Sequence, residues 1–268
     1  AWYPDAEKNA PVDEAERADF AEYVRRVVGR YAGRMDTWSV WNEPNIASFW
    51  RPEPDPALYT ELLKATSAAA REVNPNVKLA GPVAAPLDGF DRVFVERCFQ
   101  LGALEHLDIF DHHYYIQSDP EDQVPQEIRE IRALMRRYGE EKPIWVSETG
   151  VSSGPPGDAE RYARQAALIV RNQLLCLAEG VDRIFYFDLQ NWYDDPESTW
   201  DSFLGLVEAD GDPKPAFHAY GTLIKEVDYN EVVGWRPQTE EKPNRALIYN
   251  PRRDEYTLAL WLKGPDEQ

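Results

Sequence analysis

Five apolar segments of strand length alternate with stretches of helical periodicity along most of this chain, and few folds accommodate that order. Residues 36–41, 77–83, 107–115, 142–150 and 181–190 are rich in β-branched and aromatic side chains and read as strands. Ahead of the first, Phe20, Val24, Val27, Val28 and Tyr31 repeat at helical spacing. Asp55 as N-cap and Pro56 at the first turn open a helix that runs to about residue 73. Further helices are expected over residues 90–101, over 126–138 with Ile128, Ile131, Leu134 and Met135 on one face, from Tyr162 to Leu177, and over 213–227. Strand, crossover helix and strand in repetition imply an α/β fold, a parallel sheet covered by helices. The insertion between Asn191 and Asp212 follows the last of these strands and is a candidate ligand-side loop. After residue 229 the pattern changes, and residues 246–250 and 255–262 read as an antiparallel hairpin.

At 268 residues and 43% hydrophobic content the chain can build one large core. Its net charge of −19 argues against nucleic acid and anionic lipid as partners, since both would be repelled. A neutral, hydroxyl-rich ligand is compatible with that charge, and nine Trp, fourteen Tyr and ten Phe supply rings that can stack on sugars as well as fill a core. No apolar run is long enough to span a membrane. The first residues, AWYPDAEKNA, are neither a secretion signal nor a start methionine, so further sequence is expected upstream and the compartment stays open between extracellular and cytoplasmic. Cys98 and Cys176 fall in separate helices and are expected to be buried free thiols.

Two glutamates end two of the strands. In WNEPN, Glu43 follows an apolar stretch, and Pro44 ends the strand ladder while favouring an extended Glu43. In IWVSETG, Glu148 stands just before Thr149 and Gly150. The carboxyl ends of parallel strands form the ligand-binding face of such folds. Paired carboxylates there suit glycoside hydrolysis, one protonating the leaving oxygen and the other attacking the anomeric carbon. On the intervening strand, DIFDHHYY, alternation puts Asp111, His113 and Tyr115 on one face, where His113 and Tyr115 can hydrogen-bond a carboxylate. A histidine satisfied within the core is the competing reading.

WNEPN followed roughly a hundred residues later by SETG, with H-x-Y between them, resembles glycoside hydrolase clan A, whose members are (β/α)8 barrels. Within the clan the resemblance is to family 39, the β-xylosidases and α-L-iduronidases, and to related family 5 enzymes. It implies a retaining glycosidase with Glu43 as acid/base, Asn42 as the contact to the sugar 2-hydroxyl, Glu148 as nucleophile, and His113 and Tyr115 as the strand-six pair whose tyrosine bonds the nucleophile. KPAFHAY resembles the opening of the eighth helix. The strands present then correspond to strands four to eight, giving a partial (β/α)8 TIM barrel over residues 1–228 and the start of a C-terminal antiparallel β segment over 229–268. Ala1 and Trp2 read as the tail of strand three, and the missing barrel strands are expected from upstream sequence.

Trp50 in the loop after Glu43, and Trp192 and Trp200 in the loop after the last strand, are candidate stacking platforms for a carbohydrate substrate, each with loop packing as the alternative. A non-catalytic carbohydrate-binding or scaffold protein, or an inactive fragment, is the second reading of the whole. A metal-dependent lyase or isomerase using His113 and Asp111 is a distant third, because no third ligand stands at suitable spacing; no cofactor and no metal are expected.

Overall fold

Helix starts in this chain are written by side chains that accept backbone N–H groups. In the computed structural model, which describes residues 10–86, 91–116, 119–193, 197–228, 230–240 and 242–262, Asp13 caps α1 (Glu14–Tyr31) in a reciprocal pair with Glu16. Asp55 caps α2 (Pro56–Val73), its Oδ1 accepting from Ala57 N at 2.7 Å and Leu58 N at 3.3 Å. Asp91 caps α3 (Arg92–Gln100) and Asp158 caps α5 (Ala159–Ala178). The remaining helices are α4 (Pro120–Tyr138) and α6 (Pro215–Val227). Between them run β1 (Thr37–Ser39), β2 (Lys78–Ala84), β3 (Ile109–Tyr115), β4 (Ile144–Gly150) and β5 (Arg183–Tyr186), hydrogen-bonded in sequence order. A separate antiparallel sheet follows, β6 (Glu231–Arg236), β7 (Asn244–Asn250) and β8 (Glu255–Trp261).

The chain divides into two compact units, one of Ala1–Tyr114 with Glu130–Ser147 and one of Tyr115–Arg129 with Glu148–Gln268. In the first, β1 pairs in parallel with β2 and β2 with β3, with Ser39 opposite Ala80 and Ala80 opposite Ile109. The β2–β3 register shifts between Pro82 and Ala84, leaving Val83 as a bulge. Leu62 and Leu63 from α2, Leu79, Phe110, Ile144, and Ile131 and Met135 from α4 are fully buried. In the second unit, α5 and α6 back the antiparallel sheet through Leu174, Leu223, Ala246 and Ile248, with Val232, Ala259 and Trp261 packed against them. Polar ties reinforce that packing: Arg171 grips Asp119 at 2.6 Å and Glu121, Trp261 donates to the same Glu121, and Trp235 donates to Glu179 at 3.0 Å. Both cysteines are buried free thiols, as expected.

Four elements differ from the sequence reading. β1 is three residues long; Val40 N still donates to Ala80 O at 3.0 Å, and beyond it the chain begins the loop that carries Glu43. α4 starts six residues before Gln126; Pro120 opens it, and Pro125 lies inside it at the cost of one intrahelical amide donor. β5 stops at Tyr186 and gives way to the long insertion, although Phe187 N still bonds Thr149 O at 2.8 Å. β6 was not expected, since Gly234 at φ 151° and a register shift break its alternation. Ala1, Trp2 and Phe90, which the sequence places in a strand tail and at a helix start, lie outside the described residues.

The substitution Asp55→Ala removes the one side-chain oxygen that accepts from two amides at the start of α2 and is expected to cost about 1 kcal/mol, read as a lower urea midpoint with an unchanged slope.

Candidate active site

Glu43 is placed by its backbone before its side chain meets anything. Its N–H donates to Val83 O at 3.0 Å, the carbonyl that the β2 bulge turns outward, and its own carbonyl accepts from Ile46 N at 3.2 Å. To satisfy both, Glu43 takes φ 45° and Trp41 φ 68°, the left-handed region, so the extended conformation expected ahead of Pro44 is not the one adopted. Such a backbone costs of order 1–3 kcal/mol per residue and persists only where its surroundings enforce it. Asn45 does part of the enforcing: buried, it accepts from Ala85 N at 2.7 Å and donates to Ala85 O at 2.9 Å and Asp91 at 3.0 Å, clasping the loop after β2. Trp41 donates its indole N–H to Phe49 O at 3.0 Å.

Glu43 is 8% exposed as a residue, and its Oε1 lies 2.8 Å from Nδ1 of buried His113. One proton lies between them: the imidazole donates it when Glu43 is ionised, and a protonated carboxyl donates to the bare ring nitrogen. Two positions before His113, Asp111 is fully buried and accepts from Ser39 Oγ at 2.9 Å, joining β3 to β1. Burial pushes the Asp111 carboxyl above its ordinary value, against hydrogen bonds from Ser147 and Ser39 that lower it. Asn42, between the two left-handed residues, is half-buried. Trp50 departs from expectation. It is 0% exposed, edge-on to Trp41 at 5.6 Å and to Tyr59 at 5.9 Å, so it is a core ring and no stacking platform.

In the second unit the Tyr115 hydroxyl donates to Glu148 Oε2 at 2.8 Å. The pair expected from H-x-Y is therefore divided, His113 serving Glu43 and Tyr115 serving Glu148. Gly150, two residues beyond Glu148, admits the close approach of another backbone: a Cβ there would lie 2.4 Å from Phe187 O. From the helix side, Asn172 donates to Thr149 Oγ1 at 3.2 Å and Gln165 to Val151 O at 2.8 Å, fixing the end of β4. Trp200 is 54% exposed and stands edge-on to Tyr115 at 5.3 Å, while Trp192, 45% exposed, donates to Asp188 at 2.7 Å and is edge-on to Phe187. Both offer the open ring area that Trp50 lacks.

Sequence reasoning missed Lys214. Only 1% exposed, its ammonium donates to Asn191 Oδ1 at 2.7 Å and Ser153 Oγ at 3.0 Å and lies 3.5 Å from Phe203 O. These acceptors belong to the loop after β4, the start of the insertion and the short 3-10 helix Trp200–Phe203, so one cation ties together the segments that carry the two exposed tryptophans. Asn191 passes the link to Glu208, which Tyr162 also reaches. Its only sequence signal is the lysine before Pro215 in KPAFHAY, which reads as a helix start and says nothing about burial.

The family described as "Glycosyl hydrolases family 39" matches residues 13–236. A β-xylosidase of Geobacillus stearothermophilus is 28% identical over 224 residues, covering 74% of this chain and 43% of that protein. Among solved structures, a family 39 glycoside hydrolase of Bacteroides cellulosilyticus WH2 superposes with a TM-score of 0.78 at 22% identity, over 98% of this chain and 55% of the other. A family 39 β-xylosidase of Caulobacter crescentus superposes at 0.62 with 21% identity, over 87% of this chain and 53% of the other. The chain thus spans about half the length of the relatives it matches, and carries part of a (β/α)8 barrel followed by antiparallel strands.

Because the folded state binds the Asp111 proton more tightly than the unfolded chain does, that contribution to stability is full below the ordinary aspartate value, about 4, and is lost as pH rises through the raised one. Asp111→Asn is expected to remove this loss, so urea midpoints should show the variant gaining on the wild type as pH rises above about 4; a constant difference would contradict it.

Proposed function

The chain belongs to glycosyl hydrolases family 39, and we propose that the protein carrying it hydrolyses O-glycosidic bonds of a β-linked saccharide by double displacement with retention of configuration. Glu148 is the nucleophile and Glu43 the acid/base. The observation that carries the assignment is the hydrogen bond from Tyr115 to Glu148, since a donor to a carboxylate favours the ionised form that a nucleophile needs.

In the first displacement Glu148 attacks the anomeric carbon while Glu43 gives its proton to the departing glycosidic oxygen. The bond from carbon to the leaving group breaks as the glycosyl ester to Glu148 forms. In the second, Glu43 takes a proton from water, the water oxygen attacks the same carbon, and the ester bond breaks to release Glu148. His113 suits the alternation, because its Nδ1 can receive a hydrogen bond from the carboxyl or donate one to the carboxylate without moving. Asn42 contacts the sugar 2-hydroxyl, and Trp192 and Trp200 provide ring faces for neighbouring sugars. β-Xylosides are the substrate class to try first, since two of the relatives are named β-xylosidases.

The substitution Glu148→Ala should reduce turnover of an aryl β-xyloside by on the order of 10^6-fold, in keeping with the loss of a covalent nucleophile elsewhere. Added azide should restore part of the rate by taking the vacated position and yield a glycosyl azide. Proton NMR of the first-formed wild-type product should show the β-anomer; unchanged activity in the variant, or an initial α-anomer, would defeat the assignment.

A further inference from the structure

Past the end of β4 the chain turns at Gly154 and enters α5, and a cavity of about 580 Å³ opens there beside Trp200. That volume falls within the ~300–1,000 Å³ range of small-molecule sites. Its polar walls come from Ser152, Ser198, Arg161 and Arg164, and among the described residues no acidic side chain lines it. Across the whole sequence 48 acidic residues outnumber 29 basic ones, so the cavity inverts the charge of the chain that forms it.

The two arginines are presented differently. Arg161 has its Nε 3.2 Å from Asp158, the residue that also caps α5, and its guanidinium lies over Gly154. A Cβ at Gly154 would stand 2.4 Å from Arg161 Nη1, and φ +64° already disfavours any other residue there, so the glycine keeps the place in which this guanidinium sits. Arg164 is exposed, follows three residues later on the same helical face, and has no hydrogen bond or ion pair among the described residues. Trp200 also lines the cavity; its ring meets Tyr115 edge-on at 5.3 Å, and Tyr115 in turn bonds Glu148 at 2.8 Å.

We propose that this cavity binds the carboxylate of an acidic sugar, a uronic acid residue, attached to the saccharide on which Glu148 acts. The identification of the ligand as a saccharide rests on the glycosidase reading. The fork of Arg164 receives the carboxylate in a two-point contact, Arg161 adds the second positive charge, and the sugar ring lies on Trp200. A carboxylate fits this wall where a neutral branch would leave the guanidinium hydrated and gain little.

Binding is measured by calorimetry in the Glu148→Gln variant, so that no turnover intervenes, with xylotriose and with xylotriose carrying a glucuronic acid branch. The branched acid is expected to bind about tenfold tighter at low salt, the worth of one charge-assisted contact, and to lose that advantage at high salt. Adding Arg164→Ala should abolish the preference and leave xylotriose binding unchanged, while Arg164→Lys should retain part of it. Equal binding of the two ligands, or a preference that survives both Arg164→Ala and Arg161→Ala, would overturn the proposal. Hydrolysis of a neutral aryl β-xyloside by the wild type tests the catalytic reading separately: activity without an acidic preference removes only the cavity assignment, and preference without activity removes only the catalysis.

Discussion

The strand that carries Glu148 can take the Phe187 carbonyl against it only because position 150 is glycine: a Cβ there would stand 2.4 Å from that oxygen. That close approach governs much of the second unit. The Phe187 carbonyl can lie against Gly150 because β5 ends one residue earlier, which frees the chain to leave the sheet as the long insertion. The insertion then needs its own anchor, and the Lys214 ammonium supplies it by gathering acceptors from three loops. A buried cation is costly unless its donors are met, so the same group that steadies Trp192 and Trp200 makes alternative loop arrangements expensive.

On the first unit, strain plays the part that close packing plays on the second. Glu43 and Trp41 stand in the left-handed region because the Val83 bulge, the Asn45 clasp and the Ile46 turn leave no other course for the backbone. A carboxylate carried on a relaxed loop would sample many positions, and the rigid one meets His113 at a single distance. Catalytic groups benefit from such fixed placement, since orientation achieved by folding need not be achieved again with each substrate.

Much of this was legible in the sequence, and the failures have physical causes. Asp55 and Pro56 marked the start of α2 because capping and proline act within one turn of chain. The apolar runs that lead to Glu43 and Glu148 were visible, although Glu43 stands in the loop beyond β1 and not on the strand itself. Trp50 was misjudged because a tryptophan in a polar loop has the same sequence whether its ring faces solvent or packs between Trp41 and Tyr59. β6 was missed because a glycine bulge breaks the alternation by which strands are recognised.

Local rules act over a few residues, and what they govern could be read directly: the order of strands and helices, their caps, the two glutamates that follow apolar runs and the His-x-Tyr spacing on β3. The His113–Glu43 contact, the left-handed turn at Glu43, the burial of Lys214 and the arginine-lined cavity beside Trp200 depend on groups tens of residues apart. Those were decided only when folding brought the Val83 carbonyl to Glu43 N, Phe187 O to Gly150 and Asn191 to Lys214. Each is a requirement that backbone and buried polar groups find partners across the fold, and no short window of sequence contains both halves of it.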